Sequence, residues 1–564
     1  MFNKKVTYII NSVLAYLAFL FFASMRFFYA FFGNMTFQLF PYILVVVLFG
    51  LFVYSLVLCL KVHSKIQLII SFAIDCIFFV ASVGLFAYTG SGNMVYYGEE
   101  LWRILLISLP IAFIAYLVIF NWKKTLVNKI IVWCLLGVFV ISGFFALSGI
   151  GINKITVDAV VYAVEDKYQI VWSSSVNSTG YVTVGDKKYV DDYAGYADSQ
   201  CKVHKVEVPM DILDKEKSYT ITNRAMIDRQ SYDSLQGSAV SKTYTFRPVD
   251  ESDGLQIYAE SDIHDYNGSA IKSAQFYGDK LDLYVLAGDI SSSIIYNKNL
   301  EFINKTAYEV TKGEIPVVYA RGNHETKNKL ANQLYKYVGS VNEDFYYTFR
   351  LGSLWGVVLD MGEDHNDDWW EFFGAADFDA YRQKQVEFLD KVIDNADEEY
   401  NAEGVKTRVV ICHEALAFSI DERNTDKIFT PYLYPVFCQL VDKLNTMNID
   451  FCISGHNHQI MYLEGNEARG TEYTKCKEYL GGKTSKTINI KTTGANFPTA
   501  IISRKSETQL SATVGSDGAF IGTAFEIIDG RITLRFTNHI KEVISTISPW
   551  KDGLSFGKEI VIKG

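Results

Sequence analysis

Runs of positive charge are missing from this chain of 564 residues: no basic stretch is longer than Lys123–Lys124, and the formal net charge is −10. A partner held through nucleic-acid phosphates needs a clustered positive footprint, so no nucleic-acid polymer is expected as a partner. Cysteine is scarce and badly spaced for chemistry. Cys59, Cys76 and Cys134 lie in apolar runs; Cys201, Cys412, Cys438, Cys452 and Cys476 lie in the remainder, and no CxxC pair occurs. That distribution argues against a disulfide framework and against a cysteine-rich zinc site. Histidine is scarce too, with nine in the whole chain, so the places where it does occur carry information.

Apolar sequence, by contrast, is abundant and uneven. The hydrophobic fraction is 49% overall, but the first 152 residues are almost unbroken hydrophobic sequence. Five segments, 6–25, 38–60, 66–89, 104–120 and 130–152, are long enough for a bilayer core of roughly 30 Å. The first, behind Lys4 and Lys5, also suits a signal peptide, but the run is long, lacks a small-x-small cleavage site, and four more follow. The N-terminus and alternate loops hold Lys4, Lys5, Lys61, Lys65, Lys123, Lys124 and Lys129, against Arg26 and Arg103 in the others. The charge rule then puts the N-terminus inside the cell and everything after residue 152 outside, with Trp102 and Trp122 at opposite ends of the fourth segment. The expectation is a multi-pass plasma-membrane protein in contact with lipid through five spans; low cysteine usage in an outer domain points to a bacterial envelope. Asp75, inside the third segment, marks either an ion route or a hydrogen-bonded carboxyl.

Residues 153–248 alternate in short runs: Ile155–Val164, Tyr168–Trp172, Gly180–Val184, Lys205–Val208, Ser218–Asn223 and Lys242–Arg247. Turn signals separate them, and this spacing predicts a small all-β sandwich with Trp172 as a core anchor. His204 stands alone there and is expected to be structural. From Leu255 onward the texture is that of an α/β domain. Buried-type strands at Leu255–Ala259, Leu281–Ala287, Ile315–Ala320, Trp355–Leu359, Thr407–Cys412 and Ile449–Ile453 alternate with helical stretches such as Tyr381–Asp394 and Tyr434–Leu444.

In such sheets ligands collect beyond the carboxyl ends of the strands. At those ends stand Asp262-Ile263-His264, Gly288-Asp289, Gly322-Asn323-His324-Glu325, Cys412-His413 and Gly455-His456-Asn457-His458. Each match alone is weak, but five of the nine histidines fall in them, in order. This constellation resembles the calcineurin-like metallophosphoesterases over roughly residues 255–510. The resemblance implies a hydrolase of phosphate mono- or diesters with two divalent ions (Mn, Fe, Zn or similar), oxygen and imidazole ligands suiting such metals. Asp289 is then the bridging carboxylate; Asp262, His264 and His458 complete one metal position, and Asn323, His413 and His456 the other. A water shared by the metals supplies a hydroxide that attacks phosphorus. His324 protonates the leaving oxygen or holds the phosphate; Arg321 is either a phosphate contact or a strand-end structural residue, and Glu325 either orients His324 or faces solvent.

The strands before residue 250 look like the fibronectin-type module that precedes the catalytic domain in purple acid phosphatases. The expected architecture is therefore multi-domain: a five-helix transmembrane bundle over 1–152, a small fibronectin-III-like sandwich over 153–250, and a four-layer α/β catalytic domain over 251–564. The pattern departs from purple acid phosphatases in keeping His264 and in placing Ser292 where their tyrosine stands, which excludes the phenolate colour. The acidic, aromatic stretch from Asp360 to Asp379 is expected to be either a lid over the metals or a solvated loop, and His365 is not assigned to a metal. The leading expectation is a membrane-anchored phosphoesterase acting outside the cytoplasm on a lipid-linked or cell-wall phosphate. The alternatives are a membrane sensor or transport component that binds phosphorylated ligands, and a cytoplasm-facing nucleotide phosphodiesterase.

Overall fold

Short, wholly apolar stretches ending in polar turns form the framework of the molecule. The computed structural model describes residues 153–564 except 194, 230–233, 373, 422–431, 459, 479–484, 506–519 and 545–557. In chain order, β1 (Ile155–Val164) and β2 (Lys167–Val184) make an antiparallel pair, followed by β3 (Leu255–Glu260), α1 (Gly268–Ala274), β4 (Leu283–Ala287), α2 (Asn297–Thr311) and β5 (Pro316–Ala320). Then come β6 (Leu354–Leu359), α3 (Phe378–Asp394), β7 (Thr407–Cys412), α4 (Tyr434–Leu444), β8 (Phe451–Ser454) and, near the end, β9 (Phe520–Ile528).

Strands β3, β4 and β5 pair in parallel, Val285 standing against Ala259 on one side and Val318 on the other. Every residue in the three is buried, as expected of parallel strands covered on both faces. A second parallel ladder, β6–β7–β8, pairs Val357 with Val410 and Ile411 with Ile453. Because successive side chains point to opposite faces, Val358, Val409, Ile411, Phe451 and Ile453 join the core shared with β3–β5. Val357, Leu359, Val410, Cys412 and Cys452 instead pack with Leu389 of α3 and Leu440 of α4. The ring of Phe451 stacks on Phe525 of β9 at 5.1 Å, closing one sheet onto the other. Burial of each such Val, Leu, Ile or Phe stabilises the fold by about 1.5–3 kcal/mol. The two sheets therefore hold their carboxyl-terminal strand ends in register with each other.

Two expectations are corrected by this architecture. Among the described residues mixed sheets dominate and no helix is long and apolar enough to cross a membrane. The longest, α3, has 17 residues with charges along it, whereas a span needs about 20 apolar ones. This overturns the expected five-helix transmembrane bundle and, with it, the multi-pass plasma-membrane location and the outward-facing catalytic domain. The five segments on which those expectations rested, and Asp75, lie outside the described residues. Nor do the strands before residue 250 make a sandwich of their own. They enter a 13-stranded sheet in the order β9–β3–β4–β5–β1–β2, β1 running parallel to β5 through Val161 against Pro316 and Tyr162 against Val317. The reason is burial: most of β1 is covered on both faces, so it cannot serve a one-sided sandwich. The Tyr162 hydroxyl donates to Asn304 of α2 (2.8 Å), and that of Tyr219 to the Gly313 carbonyl (2.8 Å).

One carboxyl lies deep in this core. Glu260, at the end of β3, accepts hydrogen bonds from Ser273 Oγ (2.8 Å) and the Tyr284 hydroxyl (2.5 Å), and burial pushes it up to about 8. Its folded value exceeds the ordinary one, so the folded state holds the proton more tightly. Stability on this account is full below the ordinary carboxyl range and is lost as pH rises towards about 8. Glu260→Gln, which keeps the shape and removes the ionisation, is expected to flatten that slope and to stabilise the protein at pH 8 by up to roughly 4 kcal/mol. Melting curves across that pH range check it; equal slopes for both proteins would contradict it.

Candidate metal centre

The polar turns that close β3, β4, β5, β7 and β8 meet in one place. After β3 and β4 the chains stay paired: Asp262 N–H donates to the Gly288 carbonyl and His264 N–H to the Asp289 carbonyl, both at 3.0 Å. The turn after β8 is tied in by His456 N–H, which donates to Asp262 Oδ2 (3.1 Å), and by Gly455 N–H, which donates to the His413 carbonyl (2.8 Å). Asp262, His264, Asp289, His456 and His458 all adopt left-handed backbone, with φ between 51° and 68°. Asp and His tolerate that region better than most residues, at a cost of order 1–3 kcal/mol each, and it turns consecutive side chains inward. Gly288 (φ 87°) is required by contact as well as conformation, since a Cβ there would lie 2.5 Å from His413 Nδ1.

Asp289 is central. Its Oδ2 lies 3.3 Å from His413 Nε2, 3.8 Å from His264 Nε2 and 3.9 Å from His324 Nε2, while Oδ1 accepts from His324 N–H (2.9 Å). Asp262, His264 and His458 form a second convergent group, with His458 Nε2 3.6 Å from Asp262 Oδ1 and 3.3 Å from His264 Nε2. The His456 ring approaches that of His413 at 5.3 Å. Thus the structure brings Asp262, His264, Asp289, His413, His456 and His458 together, with His324 at the mouth. Asp262, His264, Asp289 and His413 are buried, whereas the side chains of His324 and His458 are 34% and 39% exposed. The centre is therefore open on their side.

Hydrogen bonds set which ring nitrogens face inward. Carbonyls only accept, so His413 Nδ1 donates to the Ala287 carbonyl (2.7 Å) and His324 Nδ1 to the Ser292 carbonyl (2.8 Å). Both Nε2 atoms then point at the centre, the arrangement by which second partners orient metal-binding imidazoles. Burial pushes His264 down to about 4 and also lowers His458, leaving both as neutral rings with free lone pairs. Burial works against the Asp289 charge, but His413, by its charge and its hydrogen bond, outweighs it and holds the carboxyl well below its ordinary range.

The donor set fits divalent cations on an independent count. Asp262 Oδ1 and Asn323 Oδ1 are buried without a hydrogen-bond partner, a cost of about 1–3 kcal/mol each that a cation would remove. Asn323 is oriented for this, because its Nδ2 donates to Glu363 Oε1 (3.1 Å), which turns the amide oxygen away from that contact. Carboxylate, amide and imidazole without thiolate suit manganese, iron or zinc.

The structure settles roles that the sequence left open for several neighbours. Glu325 neither orients His324 nor meets solvent: buried, its carboxylate accepts the N–H groups of Asp289 (2.9 Å), Ser291 (2.9 Å) and Gly322 (2.8 Å). Arg321 is engaged away from the centre, with NH2 2.7 Å from Asp360 Oδ2 and its guanidinium over the Phe345 ring at 4.5 Å. The stretch after β6 divides in two. Its beginning is buried against the centre, Asp364 Oδ2 lying 3.5 Å from His456 Nε2, whereas Trp370 is 66% exposed. His365 pairs with Asp364 (2.7 Å); burial opposes its charge, but Asp364 and Glu363 prevail and push it up to about 9. Only contacts across the fold reveal these roles. Asp265 completes the frame, accepting from Ser291 Oγ (2.7 Å) and Ser292 N–H (3.1 Å) and so fixing the carbonyl that holds His324.

Residues 255–460 match the family of calcineurin-like phosphoesterases. The chain carries a calcineurin-like metallophosphoesterase domain and is a metal-dependent phosphoesterase. No curated protein matches it. Among solved structures, a purple acid phosphatase from yellow lupin (Lupinus luteus) seeds is 12% identical, with a TM-score of 0.41, covering 72% of this chain and 74% of that one. PhoD is 11% identical at a TM-score of 0.40, covering 72% and 94%. A phosphopantetheinyl hydrolase from Mycobacterium tuberculosis is 13% identical at 0.23, covering 44% and 88%.

Proposed function

We propose that this domain hydrolyses phosphate mono- or diesters at a dinuclear centre in which Asp289 bridges two divalent cations. Asp262, His264 and His458 would hold one cation; Asn323, His413 and His456 would hold the other. The observation that carries this reading is the position of Asp289 Oδ2, with imidazole nitrogens at 3.3, 3.8 and 3.9 Å and partnerless buried acceptors beside it. When bound, the cations supply an activated water and offset the negative charge of the phosphoryl group. The protein's own share is placement: left-handed turns aim the ligands, and the exposed side at His324 and His458 admits the ester. His324 Nε2, with Nδ1 anchored on the Ser292 carbonyl, delivers a proton to the departing oxygen. Ser292 offers no phenolate, so the loaded protein should lack a tyrosinate charge-transfer band.

The direct test is hydrolysis of p-nitrophenyl phosphate and its bis-ester by purified protein with Mn²⁺. Chelation should abolish turnover and added Mn²⁺ should restore it; turnover indifferent to chelator would overturn the reading. His324→Ala is expected to slow esters with poor alcohol leaving groups by about 10²–10⁴-fold and nitrophenyl esters far less, because nitrophenolate departs without a proton. Equal losses on both would assign His324 to binding instead.

A further inference from the structure

A second cluster of metal-type side chains lies on the strand Cys201–Pro209 and just after the strand Lys187–Val190, which contribute nothing to the centre around Asp289. We propose that Asp191, Cys201 and His204 form a separate transition-metal site of zinc type, ligated through Oδ2, Sγ and Nδ1. His204 Nδ1 lies 3.1 Å from Asp191 Oδ2 and 3.7 Å from Cys201 Sγ, and the three ligand atoms lie within 4.8 Å of one another. A tetrahedral zinc with ordinary bond lengths has edges of ~3.4 Å between nitrogen and oxygen and ~3.6 Å between nitrogen and sulfur. The cluster already stands close to those edges.

Cys201 and His204 are three residues apart and would face opposite sides of a regular strand. Opposite them β2 carries the irregularity, with Ser173 paired to Val203 and Ser178 to Cys201, and such bulges increase the local twist where Sγ and Nδ1 come together. Space for the ring is made by Gly180, where any Cβ would overlap the His204 ring. His204 itself is fully buried.

Proton positions also favour a cation. The Val176 carbonyl only accepts, so Ser174 Oγ donates to it (2.8 Å); Ser178 Oγ then donates to Ser174 Oγ (2.8 Å), and His204 Nε2 donates to Ser178 Oγ (2.7 Å). A ring protonated on Nε2 presents a lone pair at Nδ1, which faces a carboxylate oxygen at 3.1 Å. Two acceptors at that distance need a hydrogen or a metal ion between them. Metal binding replaces the Cys201 thiol proton, released to solvent, by a metal–sulfur bond.

Cobalt separates this site from the catalytic one, which has no sulfur ligand. Full-length protein loaded with Co²⁺ should show a thiolate-to-cobalt charge-transfer band in the near ultraviolet. Cys201→Ser should remove the band, and one bound Zn²⁺ per chain, while phosphoesterase activity stays. Asp289→Asn should leave the band in place. Ser178→Ala, which frees the ring from its anchor and removes the bond to Ser174 Oγ, should weaken Co²⁺ binding at this site by about 10–100-fold and so keeps the test valid if Cys201→Ser folds poorly. Absence of the band in the wild type, its survival in Cys201→Ser, or unchanged Co²⁺ affinity in Ser178→Ala would overturn the proposal.

Discussion

Asp289→Asn is expected to reduce phosphoester hydrolysis by at least about a thousandfold, equivalent to about 4 kcal/mol of lost transition-state stabilisation. The two side chains are nearly the same size, so packing is not the cause. The His324 N–H donates to Asp289 Oδ1 at 2.9 Å, which fixes the amide oxygen of the variant on that side. Its NH2 group must then occupy the place of Oδ2, facing His413, His264 and His324 Nε2 at 3.3–3.9 Å. A donor replaces an oxygen that would hold the cations, and a unit of negative charge disappears with it. Metal content measured after dialysis should fall together with turnover, while the melting temperature moves little. Activity within tenfold of wild type would remove Asp289 from the bridging role.

Such a specific expectation is possible because the catalytic frame was legible before the structure. The strand Thr407–Cys412 and the helix Tyr434–Leu444 have the bounds expected from their hydrophobic pattern. The other buried strands differ by a residue or two at their ends. Strands covered on both faces are nearly continuous apolar runs, and the polar residues that end them stand out. Ligands on such ends can be read in one dimension. What could not be read depends on partners distant in sequence. Nothing around Ile155–Val164 announces that it will run beside Pro316–Ala320, because pairing is decided by packing. Arg321 could not be told from a phosphate contact until Asp360 appeared beside it. His204 stood alone because strand pairing through β2, not a motif spacing, brings Asp191 and Cys201 beside it.

Glu325 is the most consequential of these hidden residues, and its removal should damage both stability and catalysis. Three buried N–H groups, from Asp289, Ser291 and Gly322, end on its carboxylate. Leaving each unsatisfied costs about 1–3 kcal/mol, so Glu325→Ala should lose roughly 3–6 kcal/mol even with some relaxation or entry of water. Two of those donors hold the turn that aims Asp289, and displacement of a reacting group by about 1 Å can cost a hundredfold in rate. Glutamine distinguishes clamp from filler. Its oxygen can serve one side of the original carboxylate, but its NH2 group must oppose N–H donors on the other. Glu325→Gln should therefore resemble the alanine variant despite matching the native volume. Burial and the nearby Asp289 charge push Glu325 up to about 7, and because this lies above the ordinary value, the cation-free protein should lose stability as pH rises towards it. Cations beside Asp289 oppose that shift, so adding Mn²⁺ should flatten the pH dependence in the wild type and leave the glutamine variant unaffected. A glutamine variant as stable and active as wild type would mean that Glu325 works as a neutral acid, and the three-donor clamp would have to be abandoned.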